Sequence, residues 1–123
     1  MAESEFKSTG GFRRVLKATG YSMSGFKYAL KHEAAFRQEL ALALVLTPLA
    51  LWLARSRWEL LALIAPMMLV LIVEIINSAI EALADEISLE RRERLGAAKD
   101  LGSAAVFIAL SLTVLTWVLV LWR

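Results

Sequence analysis

Long apolar tracts alternate with short charged segments along this chain, and the tracts set the reading of everything else. Leu40 to Ala54 is apolar, Leu60 to Val73 is unbroken, and no charge falls between Asp100 and Arg123. A helix needs about 20 apolar residues to cross a bilayer. The first tract is shorter than that, so it is expected to draw Ala34 to Glu39 into the same helix. The pattern predicts three transmembrane helices, at about residues 37–54, 58–85 and 97–122. An amphipathic surface helix is expected ahead of them, at about residues 12–36. Within it Phe12, Val15, Leu16, Phe26, Leu30 and Ala34 recur at spacings of three and four, interleaved with Arg13, Arg14, Lys17, Lys27 and Lys31. Such a basic amphipathic segment suits an anionic membrane surface. Gly20 is expected to stop a first short helix, Tyr21 to Gly25 to form a turn, and Ser22 or Ser24 to cap a second helix. Met1 to Ser8 is polar and is expected to fray. Pro48 and Pro66 are expected to bend the spans that hold them.

Composition supports the same architecture. Hydrophobic residues make up 59% of 123 residues and mean hydropathy is +0.60, above the roughly 45–50% apolar content of soluble domains. The reading is an all-α integral membrane protein with one domain over residues 1–123 and no internal repeat. The absence of cysteine excludes disulfides, thiol catalysis and zinc–thiolate sites. No early apolar segment with a small-residue cleavage site precedes the spans, so the spans themselves are expected to direct insertion. Lys and Arg crowd the N-terminal segment (Lys7, Arg13, Arg14, Lys17, Lys27, Lys31, Arg37) and the second loop (Arg91, Arg92, Arg94, Lys99). The first loop has only Arg55 and Arg57. The positive-inside rule places the N terminus and second loop in the cytoplasm and the C terminus outside. Trp52, Trp58, Trp117 and Trp122 read as interfacial anchors.

One stretch resists a purely structural reading. Glu74, Asn77, Glu81 and Asp85 fall within a sector of about 80° on a helix turning about 100° per residue, and Ser78 adjoins them. Hydrocarbon cannot solvate that stripe, since an ionised group there costs several kcal/mol. A structural account would hydrogen-bond Glu74 to neighbouring helices through Asn77. Four polar groups on one stripe, with Lys99-Asp100 at the matching depth and Glu33 and Glu39 before the first span, favour function. Such hard oxygen ligands suit Mg²⁺ together with substrate phosphates. Glu74, flanked by Val73 and Ile75, suits acceptance of a proton from a hydroxyl. The charge run Glu86 to Gly96 reads as a solvated loop or helical overhang, and His32 as a surface residue. No Walker loop, protein-kinase signature set or GxSxG elbow is present. The aromatic residues offer no nucleic-acid-reading pattern.

The segments Glu33-Ala-Ala-Phe-Arg-Gln-Glu39, Val73-Glu-Ile-Ile-Asn-Ser-Ala-Ile-Glu-Ala-Leu-Ala-Asp85 and Ala98-Lys-Asp-Leu-Gly-Ser-Ala-Ala-Val106 resemble the small prokaryotic diacylglycerol kinase family. With Arg14 and Ala18-Thr-Gly-Tyr-Ser22 the resemblance covers nearly the whole chain. It implies a homotrimer with composite sites between subunits, in the bacterial inner membrane. The implied reaction moves the ATP γ-phosphoryl group to the free hydroxyl of diacylglycerol, giving phosphatidic acid. By the same resemblance Glu74 is the general base, and Glu33 and Glu81 hold Mg²⁺ and the nucleotide. Lys99 and Asp100 position ATP, which Arg14 and Tyr21 contact from the surface helix. Asn77, Ser103, Glu39 and Trp52 fall on the lipid-substrate side. Thr47-Pro48 departs from the family pattern. So does Ala97, where many relatives are expected to carry a basic residue, a role Arg91 or Arg92 could take over. A polyprenol kinase of the same fold is one alternative. Others are a proton-coupled exporter built on Glu74 and a non-catalytic assembly subunit whose stripe only specifies packing.

Overall fold

Residues 10–123 are described by the computed structural model, so the expectation for Met1 to Ser8 and the contribution of Lys7 to the charge count lie outside them. Among the described residues there are four helices and no strand: α1 (Gly11–His32), α2 (Ala34–Leu53), α3 (Arg57–Ile87) and α4 (Glu93–Leu121). The chain falls into two compact units, one up to Ala34 and one from Ala35 to Arg123.

In the first unit, α1 runs without the break expected at Gly20 and without the turn expected over Tyr21 to Gly25. A helical glycine costs about 1 kcal/mol relative to alanine. Strong helix formers on both sides (Leu16, Lys17 and Ala18; Lys27, Ala29 and Leu30) outweigh that cost at Gly20 and Gly25. Ser22 and Ser24 cap nothing, and their hydroxyls instead donate back to the carbonyls of Ala18 and Gly20 at 3.0 and 3.2 Å. The stop comes at His32, where Glu33 turns extended and its N–H bonds the Ala29 carbonyl. Lys31 and His32 lie in the last turn, the favourable end for cationic side chains. Gly11 enters the helix at φ 61°, a conformation that glycine reaches without strain.

The second unit holds three helices long and apolar enough to cross a membrane. At about 1.5 Å per residue α2 is about 30 Å long, the thickness of a hydrocarbon core. It reaches that length because Ala34 to Glu39 joins it, as the sequence predicts. By the same rise α3 is about 46 Å long, so one part of it extends beyond the core. Leu44, Val45, Phe107 and Ile108 are 66–72% exposed. In water such a surface would drive association; against lipid it is the solvent-facing side.

Both prolines are absorbed within continuous helices. Thr47 Oγ1 donates to the Ala43 carbonyl at 2.7 Å, in the turn preceding Pro48. Near Pro66, Trp117 Nε1 donates to the Leu63 carbonyl at 2.9 Å. That bond crosses from α4 to α3, so Trp117 is a packing residue. The contacts Leu63–Trp117, Asn77–Gly102 and Asp85–Lys99 set rising numbers against falling ones, so α3 and α4 are antiparallel. Ser56 caps α3 by accepting the Glu59 N–H at 3.1 Å. Arg123 binds the Leu53 carbonyl at 2.6 Å and Glu59 at 3.2 Å, joining the ends of α2, α3 and α4. The charged run is loop over residues 88–92, with Glu90, Arg91 and Arg92, and helical overhang on either side, since α3 continues to Ile87 and α4 starts at Glu93.

Trp117→Phe keeps an aromatic six-membered ring but removes the pyrrole half of the indole with its N–H donor, so the hydrogen bond sets a lower bound on the loss. Unfolding in a denaturing detergent should show a loss of at least about 1 kcal/mol, the usual net value of one hydrogen bond. An unchanged midpoint would mean that the bond to Leu63 contributes nothing.

Candidate active site

Along α3 the stripe passes from water into the protein. Asp85 keeps 47% of its side chain exposed, Glu81 is half-buried, and Asn77 and Glu74 are 7% and 4% exposed. Ser78 is buried beside them. Eleven residues of helix separate Asp85 from Glu74, about 16 Å along the axis. The stripe is therefore a descending row of polar groups rather than a ring at one level.

Each level has its own partner. At the exposed end Lys99 Nζ on α4 meets Asp85 Oδ1 at 2.5 Å. In the middle Asn77 Nδ2 donates to Glu81 Oε1 at 3.3 Å, one turn along the same helix. At the deep end the Glu39 carboxyl, from α2, lies in hydrogen-bonding contact with that of Glu74. Three buried polar atoms of this region, Glu39 Oε2, Asn77 Oδ1 and Ser78 Oγ, have no hydrogen-bond partner among the described residues. Buried polar groups are nearly always paired, so these three mark where ligand or solvent chemistry is to be sought.

The remaining candidates are distributed around this row. Asp100 points away from the stripe and pairs with Arg91 at 3.1 Å. Arg91 also lies over Gly96, where an added Cβ would come within 3.1 Å of its guanidinium carbon. Ser103 is exposed on α4. Trp52 is 81% exposed and lies thirteen residues along α2 from Glu39, about 20 Å. Arg14 and Tyr21, both exposed on α1, belong to the first unit, as does Glu33 at its end. The expected metal pair Glu33 and Glu81 is thus divided between the two units.

A groove of about 660 Å³ lies between α3 and α4, and among the described residues its lining is apolar apart from Asn77. Among the same residues no three His, Asp or Glu side chains gather in a way that could hold a metal ion. What the second unit offers is one carboxyl pair, Glu39 with Glu74, and single carboxylates, of which Glu81 is half-buried at mid-stripe. Mg²⁺ is commonly held by one or two carboxylates together with substrate phosphates. The donor set therefore fits an ion that arrives with a nucleotide better than a resident one. Sequence reasoning missed two arrangements, the approach of Glu39 to Glu74 and the seating of Asn77 against Gly102. Only the second left a signal, a glycine well inside an apolar helix.

Residues 20–121 match the sequence model of the family described as prokaryotic diacylglycerol kinase. The diacylglycerol kinase of Pseudomonas aeruginosa is 50% identical over 121 residues, which cover 98% of each chain. That of Escherichia coli K12 is 50% identical over 115 residues, 94% of each chain. A Helicobacter pylori diacylglycerol kinase is 43% identical over 107 residues, covering 87% of this chain and 84% of its own.

An ion pair with both partners more than a third exposed contributes at most about 1 kcal/mol. Lys99→Met should therefore shift the unfolding midpoint by no more than that amount while lowering phosphoryl transfer by well over tenfold. A large stability loss with turnover preserved would make Lys99 a structural residue.

Proposed function

The chain belongs to the prokaryotic diacylglycerol kinase family, a family of lipid kinases, and from that premise we propose that it transfers the γ-phosphoryl group of ATP to the free hydroxyl of diacylglycerol, giving phosphatidic acid. The observation that carries this reading is the stripe itself, with Glu74 buried at one end and Asp85–Lys99 open to water at the other. A soluble donor and an insoluble acceptor need such a graded site.

Glu74 takes the proton of the lipid hydroxyl, the hydroxyl oxygen attacks the γ-phosphorus, and ADP leaves with the former bridging oxygen. The adjoining Glu39 carboxyl orients Glu74 and gives the proton a second oxygen to bond. Lys99 exchanges Asp85 for phosphate, and Arg14, Tyr21 and Asp100 complete the nucleotide contacts. When bound, Mg²⁺ neutralises phosphate charge; Glu81, with Glu33, would hold it. Asn77 and Ser103 orient the lipid headgroup, and Trp52 meets the lipid farther along α2. Phosphoryl transfer is mostly positioning and electrostatics, which suits a site of isolated charges without a nucleophile. A homotrimer with shared sites is part of the same proposal and rests on the family resemblance alone. The Lys and Arg distribution supports catalysis at the cytoplasmic face of the inner membrane, with the C terminus periplasmic. Family membership leaves the exporter and assembly-subunit readings without support.

Glu74→Gln is nearly isosteric and cannot accept the proton. In mixed micelles it should lower ATP-dependent phosphorylation of diacylglycerol by about 10²-fold or more with the unfolding midpoint retained. An unchanged rate would remove Glu74 from the base role. Chelation of Mg²⁺ should abolish the wild-type rate, and full activity in chelator would contradict the metal assignment.

A further inference from the structure

Gly102 is buried well inside α4, where glycine weakens a helix relative to alanine. Small residues there could simply let two helices approach. The geometry is more particular. A Cβ added at Gly102 would collide with Asn77 Oδ1 and lie 3.1 Å from Asn77 Cγ, yet it would sit 3.6 Å from Asn77 Cβ, an ordinary contact. The carboxamide head of Asn77, and not its stem, occupies the space that glycine leaves. Asn77 is 7% exposed as a residue, and its Oδ1 is buried. It is tied at Nδ2 to Glu81 Oε1, while Oδ1 has no hydrogen-bond partner among the described residues.

We infer that Gly102 is a positioning residue: it seats the Asn77 carboxamide, and the seated carboxamide in turn fixes the carboxylate of Glu81. The inference rests on the reading above in which Glu81 serves the nucleotide. Without the seat, the amide must rotate or withdraw, and Glu81 loses its donor on the same helix face. The lost bond is one hydrogen bond to a charged group, whose worth corresponds to roughly a tenfold effect. The effect that runs through Glu81 is expected in the apparent KM for Mg·ATP, and any change in that for diacylglycerol reports the separate role of Asn77 at the lipid headgroup.

The test is a double-mutant cycle of wild type, Gly102→Ala, Asn77→Ala and the combined variant, each measured for unfolding in detergent and for both KM values in mixed micelles. Seating predicts that Gly102→Ala raises the KM for Mg·ATP roughly tenfold, that Asn77→Ala does the same, and that the combined variant is no worse than either. Alanine at position 77 leaves only the 3.6 Å contact, so the second change relieves the first. If Gly102→Ala fails to fold, the combined variant should fold. Additive losses, or a combined variant that also fails to fold, would make Gly102 a helix-packing residue and overturn the inference. An inactive wild-type protein would count against the kinase reading alone, and non-additivity of the four unfolding midpoints would still decide the seating.

Discussion

A carboxyl group inside a bilayer has to be matched by another polar group, and in this chain α2 meets the polar face of α3 at Glu74 while α4 meets it at Asn77 and Asp85. The apolar tracts alone would allow α2, α3 and α4 to slide or rotate, because lipid solvates their side chains as well as neighbouring helices do. The polar groups remove that freedom. Glu39 meets Glu74 from α2, Lys99 meets Asp85 from α4, and Asn77 fits against Gly102. At the opposite end Trp117, Arg123 and Glu59 perform the same service.

The length of α3 turns this constraint into a site. A helix of 31 residues is longer than the hydrocarbon core is thick, so a row of polar groups on one face must pass through a change of solvent. Burial follows the row, from the half-exposed Asp85 to the enclosed Glu74. Charges at the wet end are partly exposed and weakly held, which suits exchange with phosphates. Groups at the dry end are few and fixed, which suits a proton acceptor for a hydroxyl that never leaves the lipid.

Much of this was legible in the sequence for a physical reason. Hydropathy and helical period are local properties, so the three spans, the stripe and the matching depth of Lys99 followed from residue spacing. The surface helix was misjudged at Gly20 because a single glycine was weighed without the strong helix formers on either side. Local pattern also could not pair Glu39 with Glu74, since the two are remote in sequence and approach only once α2 packs. Arg91 illustrates the intermediate case. Its charge was visible in the run after α3, but its position over Gly96 and its bond to Asp100 required the fold.

The central claim is that the graded stripe joins a water-soluble phosphoryl donor to a diacylglycerol. The most direct measurement offers labelled ATP to the purified protein with diacylglycerol, polyprenol and ceramide in parallel mixed micelles. The account predicts Mg²⁺-dependent label in phosphatidic acid, at a rate well above that for either other acceptor. Label chiefly in polyprenyl phosphate, or in no lipid at all, would contradict it.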